Sequence, residues 1–128
     1  MLDKISNQPQ VIFNDNKESL VILEVASTPE KMQTGLMRRD ILPEGHGMVF
    51  IFRPIRTTFM IMKNTFIPLD MIFILNGKIV NLAKNAKPNQ EDIRYLSMGE
   101  VSEVIEVNAG FIDKHKLKIG NKVEFVGL

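Results

Sequence analysis

The dipeptide Asn76-Gly77 constrains this chain more than any other short feature, because it stands between two mostly apolar segments, LDMIFIL and IVNLAKNA. Asn and Gly tolerate the positive φ angles that a two-residue hairpin turn requires. The arrangement therefore predicts two antiparallel strands, near 70–75 and 78–84, joined directly at this dipeptide.

Short β-branched and apolar runs alternate with turn-forming residues along the rest of the chain, which is typical of strands. Further strands are predicted near 11–13, 20–26, 47–52, 57–63, 101–107 and 122–126. Among the side chains of these strands we expect burial of Phe50, Phe59, Met71 and Phe73.

Two short helices interrupt the strands. Thr28 is a good N-cap and Pro29 suits the first helical position, which predicts a helix of two to three turns after residue 28. Asn108 is placed to cap a second helix in NAGFIDKHKL. Many short strands with two small helices favour a mainly β, single-domain β-sandwich or barrel-like fold over alternating βαβ units.

Composition narrows the classes of function. The chain has 128 residues, which suits one domain, and we expect residues 1–10 to be disordered and 11–128 to form a single β-rich domain. Sixteen basic and fifteen acidic residues leave a net charge of +1, which argues against a nucleic-acid partner. The chain has no cysteine, and this excludes a disulfide framework, a thiolate zinc site and a cysteine nucleophile.

Polar residues interrupt every long apolar run, so none approaches the ~20 residues of a membrane helix. The first residues, MLDKISNQPQVIF, lack a basic segment followed by an apolar one, and we expect no signal peptide in this chain.

The segment TTFMIMKNTFIPLDMIFIL, at 57–75, places polar residues at the ends of apolar strand faces. A buried charge needs a partner, and Asp70 could pair with Lys63, Arg38 or Arg39. In one interpretation Asn64, Thr65 and Asp70 only bond loop backbone. In the other they converge on a ligand.

Three other features have a functional and a structural interpretation. Arg38 either clamps an anion or complements the dipole at a helix end. His46 and His115 lie far apart in the sequence, and without cysteine they make a poor zinc site, so we expect no metal and no cofactor. The eight methionines could bind copper(I), but flexible core packing explains them more simply.

Five separated motifs carry a resemblance to a known family: TGLMRR, GMVFIF, MKNTFIPLDMIFI, the Asn-Gly-Lys-Ile-Val hairpin and IEVNAGFIDKHKLKIGNKV. In this order, over about 20–126, the chain resembles domain of unknown function 192. The resemblance implies a compact β-domain found in bacteria and archaea, with no established activity. Many members carry an export signal, so both a cytoplasmic protein and the mature form of a periplasmic or secreted one are compatible with it.

The resemblance also marks individual residues. They are Gly35, Leu36, Met37, Arg38, Gly47, Met48, Phe50, Met62, Lys63, Asn64, Thr65, Pro68, Leu69, Asp70, Glu106 and Gly110. The chain departs from the family pattern at Ile61, where Trp is common, and at Asn121, where Asp is usual.

Three functions follow as hypotheses. The first is a non-catalytic binding or accessory module for a small anionic or carbonyl-containing ligand. Its binding residues would be Arg38, Lys63, Asn64, Thr65, Asp70 and Glu106. The second is a hydrolase with Asp70 or Glu106 as general base. The third is a purely structural or interaction domain. The pattern does not indicate an oligomeric state.

Overall fold

A computed structural model describes residues 8–128 of the chain. The expected disorder of the N-terminal segment falls largely on residues 1–7, which lie outside the described part. Gln10 already begins the first strand, and the Pro9 carbonyl accepts a hydrogen bond from the amide of Leu23 at 2.8 Å. The ordered fold therefore starts no later than this point.

Residues 8–128 form nine strands and two short helices. The strands are β1 (Gln10–Phe13), β2 (Asn16–Ala26), β3 (His46–Arg56), β4 (Phe59–Met60), β5 (Leu69–Leu75), β6 (Lys78–Ala86), β7 (Tyr95–Leu96), β8 (Val101–Asn108) and β9 (Val123–Val126). The helices are α1 (Pro29–Thr34) and α2 (Phe111–Lys114). The prediction of a mainly β domain with two short helices is confirmed. Neither helix is long and apolar enough to cross a membrane.

Seven strands form one curled sheet in the order β6-β5-β8-β3-β2-β1-β9. All its strand pairs are antiparallel except β2 with β3, which are parallel. The two edge strands approach each other at one end, where the amide of Val123 donates to the Gly77 carbonyl at 2.8 Å. A separate two-stranded sheet pairs β4 with β7.

The predicted hairpin at Asn76-Gly77 is confirmed. Leu75 pairs with Lys78, so only two residues form the turn between β5 and β6. Asn76 has φ 48° and Gly77 has φ 81°, the positive values that such a turn requires.

The two faces of the sheet cover two apolar clusters. Leu69, Met71 and Phe73 of β5 pack into one cluster, whereas Ile72 and Ile74 pack into the other. This alternation follows from the pleat of the strand, and it matches the faces expected from sequence. β5 is therefore buried on both sides.

The predicted strand at 57–63 is largely wrong, because only Phe59 and Met60 are extended and paired. The chain then turns at Lys63 and Asn64, and the amide of Thr65 donates back to the Met62 carbonyl at 3.1 Å. Among residues 8–128 the only strand beside Phe59 and Met60 is the two-residue β7, so the small sheet does not continue past Met60. An apolar sequence pattern alone does not form a long strand where no neighbouring strand offers backbone hydrogen-bond partners along its length.

Phe59 is also a correction, since it was expected in the core and is 45% exposed. Its ring faces outward, with the Arg94 guanidinium carbon 4.8 Å from the ring centroid. Phe50, Met71 and Phe73 are buried as expected.

The helix ends are partly as predicted. The Thr28 hydroxyl accepts from the amide of Lys31 at 3.2 Å, which confirms the cap of α1. This helix has six residues, fewer than the two to three turns expected, because it stops at Gly35. The predicted capping by Asn108 is wrong, since its side-chain amide donates instead to the Leu42 carbonyl at 2.7 Å.

The carboxylate of Asp70 takes over the capping role for α2. Its Oδ2 accepts from the amides of Gly110 at 3.1 Å and Ile112 at 2.9 Å. Its Oδ1 accepts from the amide of Asn85 at 2.9 Å, in β6. One buried carboxylate thus joins β5, β6 and the start of α2, as the structural interpretation of this residue requires.

Two phenylalanines test the assignment of the core. Phe73→Ala should lower the free energy of unfolding by about 3–5 kcal/mol, because it leaves a cavity in a closed core. Phe59→Ala is the matched control and should cost less than about 1 kcal/mol, since its ring is half exposed. Urea titrations measure both losses. Equal losses in the two variants would mean that the core assignment is wrong.

Asp70→Asn should lower the free energy of unfolding by about 2–4 kcal/mol, because the NH2 group of the asparagine would face a backbone N–H and cannot accept a hydrogen bond from it. Asp113→Asn is the control, since its exposed ion pair with Lys84 should contribute little to stability. A loss for Asp70→Asn no larger than the control's would contradict the capping role.

Candidate functional site

A groove with a volume of about 490 Å³ lies over β3 and β8. One wall is α1 with the loop that follows it, and the other is the segment 59–65. Five of the six residues predicted to bind a ligand line it: Arg38, Lys63, Asn64, Thr65 and Glu106. Asp70 does not line the groove, and its oxygens are bonded to backbone amides instead.

The two walls are held together by backbone. The amide of Arg38 donates to the carbonyl of Asn64 at 2.8 Å, which joins the loop after α1 to the turn at 63–64. Arg38 has φ 65° and Asn64 has φ 52°, so the two residues joined by this hydrogen bond both have a left-handed backbone conformation. Such a conformation costs energy for arginine, and strain of this kind is concentrated at functional sites.

Gly35 allows the first wall to approach the sheet closely. Its backbone has φ 50° and ψ −129°, a region that other residues avoid. A Cβ at this position would lie 3.1 Å from Cζ of Phe50 and 3.9 Å from Oε1 of Glu106. The glycine therefore sets the depth of the groove at Glu106.

Glu106 forms the floor of the groove. It lies on β8 between its cross-strand neighbours Met48 on β3 and Met71 on β5, and it is 4% exposed. Within residues 8–128 its carboxyl forms no hydrogen bond to another protein group. Every side-chain oxygen that is fully buried in this part of the chain does have a hydrogen-bond partner. The oxygens of Glu106 must therefore keep some accessible surface, and the groove is what they contact.

Burial raises the pKa of Glu106 to about 8, and no nearby charge contributes to the shift. Glu106 is therefore mostly a neutral carboxylic acid at pH 7, a group that can donate a hydrogen bond as well as accept one.

Glu103, three residues earlier on the same strand, shows how a buried carboxylate is normally satisfied. It is 5% exposed and accepts from Arg53 at 2.7 Å and from the Ser102 hydroxyl at 2.6 Å. Most buried polar groups have such partners. The lack of a protein partner within the described part of the chain sets Glu106 apart.

Arg38 and Lys63 form a cationic rim. Both are exposed, and neither belongs to an ion pair within residues 8–128. Burial alone raises the pKa of Glu106, so the rim cations do not offset the desolvation of its carboxylate. The expected ion pairs of Asp70 with Lys63, Arg38 or Arg39 are wrong, and Arg39 pairs with Glu24 instead.

The polar residues between rim and floor are partly structural. The Thr65 hydroxyl donates to the Lys63 carbonyl at 3.1 Å, so it stabilises the turn. Sequence reasoning missed the apolar wall residues, such as Met32, Leu36 and Met60, because methionine and leucine carry no signal that separates a wall from a core.

His46 and His115 share a second cavity of about 850 Å³, at one end of strands β2, β3 and β8 near α2. The two histidines are far apart in the sequence, so the sequence did not predict that they line the same cavity. Burial and the neighbouring Lys114 lower the pKa of His115. No cluster of three or more histidine or carboxylate side chains suited to a metal occurs in residues 8–128.

The pKa of Glu106 predicts a pH dependence of stability. Between the ordinary value of 4.5 and about 8 the folded chain keeps this proton and the unfolded chain releases it. The free energy of unfolding should therefore fall as pH rises through this window, by at most about 1.4 kcal/mol per pH unit, and level off above it.

Urea titrations from about pH 5 to about pH 8 measure this slope. In Glu106→Gln, whose side chain does not titrate, the decline should be clearly smaller than in the parent protein. Parallel pH profiles for the two proteins would show that Glu106 is ionised in the folded chain.

Comparison with solved structures shows two close likenesses. A Sinorhizobium meliloti 1021 protein, provisionally described as a transcription regulator, is 32% identical with a TM-score of 0.85, over 96% of this chain and 98% of that one. A protein of unknown function from Novosphingobium aromaticivorans DSM 12444 is 33% identical with a TM-score of 0.83, over 90% of this chain and 83% of that one. Comparison with curated proteins found no match.

The family-level match covers most of the chain. Residues 11–125 match the model of DUF192, described as an uncharacterized ACR, which is the family that the five sequence motifs resemble. The chain therefore belongs to the DUF192 family.

Proposed function

We propose that this domain is a non-catalytic binding module that takes a small anionic or carbonyl-containing ligand in the groove between α1 and the segment 59–65. The observation that carries the proposal is the carboxyl of Glu106, which is 4% exposed, lacks a partner within residues 8–128 and contacts the groove. The groove volume of about 490 Å³ falls within the range of small-molecule sites.

A purely structural role explains Asp70 and Thr65, whose side chains bond to backbone, but it does not explain Glu106. A largely buried carboxyl without a protein partner in residues 8–128 destabilises the fold relative to an apolar residue of similar size. Functional sites commonly keep such unfavourable groups, because the ligand completes their hydrogen bonding.

Hydrolysis is the second candidate, and the raised pKa of Glu106 is the observation that favours it. A general base must be ionised at the working pH, however, and with a pKa of about 8 most of Glu106 is protonated at pH 7. Asp70 is a poor general base because three backbone amides occupy its oxygens. Binding therefore accounts for more of the geometry than catalysis does.

The rim supplies the attraction for an anion. Arg38 and Lys63 lie on opposite walls at the mouth of the groove. Guanidinium and ammonium groups both bind carboxylates, and exposed cations on two walls can hold one anion between them.

The test is a titration of the isotopically labelled protein with pentanoate, hexanoate and octanoate, followed by amide chemical shifts. Shifts should concentrate at the groove walls. Arg38→Ala and Lys63→Met should each weaken binding by roughly two- to fivefold, as for an exposed ion pair.

Lys118→Met is the matched control, since Lys118 is exposed and lies outside the groove. It should bind the probes as the parent does. Shifts spread over the whole surface, or equal effects of all three variants, would overturn the proposal.

A further inference from the structure

The floor and the rim of the groove differ in the charge they can hold. Across the sheet, Glu106 lies in a row with Met48 and Met71, and Phe50 approaches from β3. These neighbours carry no charge and donate no strong hydrogen bond. The rim, in contrast, carries two exposed cations.

Charged groups on the surrounding elements do not reach the floor. On β2, the next strand beyond Met48, Glu24 is paired with Arg39. On β8 itself Glu103 points to the opposite face, where Arg53 binds it. Arg38 and Lys63 are the cations that line the groove, whereas Glu30 and Lys31 of α1 line a separate pocket beside Glu24. None of these groups contributes to the pKa of Glu106, which burial alone raises.

A site that does not stabilise its own carboxylate does not stabilise a ligand's carboxylate at the same place. A second anion there would add repulsion to the cost of desolvation whenever Glu106 ionises. The ligand group that reaches the floor is therefore uncharged.

We infer that the ligand carries two polar groups: an uncharged carbonyl, whose oxygen accepts a hydrogen bond from the neutral Glu106 acid, and an anionic group that stays at the rim with Arg38 and Lys63. An apolar body joins them along Leu36, Phe50 and Met60, which also line the groove. The inference rests on the proposed function and specifies its ligand as an oxo-carboxylate or a similar carbonyl-bearing acid.

The experiment compares acids with and without the second polar group. Levulinate and its longer homologues are titrated against the plain fatty acids of equal chain length, at about pH 6 and about pH 9, on either side of the pKa of Glu106. For the homologue that spans the groove, the oxo group should tighten binding about fivefold at the lower pH, as one hydrogen bond to a buried donor predicts. At the higher pH this advantage should disappear, because ionised Glu106 no longer donates.

Two variants separate the hydrogen bond from the charge. Glu106→Gln keeps an N–H donor that does not titrate, so the oxo advantage should persist at both pH values. Glu106→Met has a similar volume and no donor, so the advantage should be absent at both while the plain acids still bind. Amide spectra of each variant establish that it is folded.

The outcomes distinguish the two proposals. If plain acids bind in the groove and the oxo acids bind no better, the inference is overturned and the proposed function stands. An oxo advantage that survives at the higher pH in the parent protein would also overturn it, since the donor would not be Glu106. Absence of groove shifts with every probe overturns both proposals.

Discussion

The central position of β8 is the constraint on which the rest of the structure depends. This strand lies between β5 and β3 in the middle of the seven-stranded sheet, and every residue from Val101 to Val107 is buried. A strand covered on both faces should carry apolar side chains, yet this one carries two glutamates. The two glutamates differ in their hydrogen-bond partners, and this difference separates the stabilising polar contact in the sheet from the carboxyl that faces the groove.

The two glutamates are accommodated in different ways. Glu103 is paired with an arginine and a serine hydroxyl, so its burial adds a fixed polar contact to the sheet. Glu106 is accommodated by keeping its proton, since burial raises its pKa to about 8. The backbone above it is strained, with positive φ at Gly35, Arg38 and Asn64. A buried carboxyl without a protein partner in residues 8–128 and a left-handed arginine therefore lie at the same groove, which supports the proposed function.

Local patterns predicted the features that depend on neighbours in sequence. The Asn76-Gly77 hairpin, the alternating faces of β5 and the Thr28 cap follow from backbone preferences and from the strand pleat, so they needed no tertiary information. The prediction of a strand at 57–63 was wrong beyond Phe59 and Met60, because this segment pairs only with the two-residue β7 within residues 8–128 and then turns to form a wall of the groove. The prediction that Asn108 caps α2 was wrong because Asp70, which is distant in sequence, accepts the hydrogen bonds from the amides at the start of this helix.

By itself the sequence determined the mainly β class, the hairpin and five of the residues that line the groove, since these follow from periodicity, turn chemistry and the family motifs. Only the tertiary structure decided their roles. It directed Asp70 to backbone amides and left Glu106 between two methionines, without a protein partner among residues 8–128. The physical reason is that a carboxyl's protonation and bonding depend on what surrounds it, and the neighbours of Glu106 on β3 and β5 are distant from it along the chain.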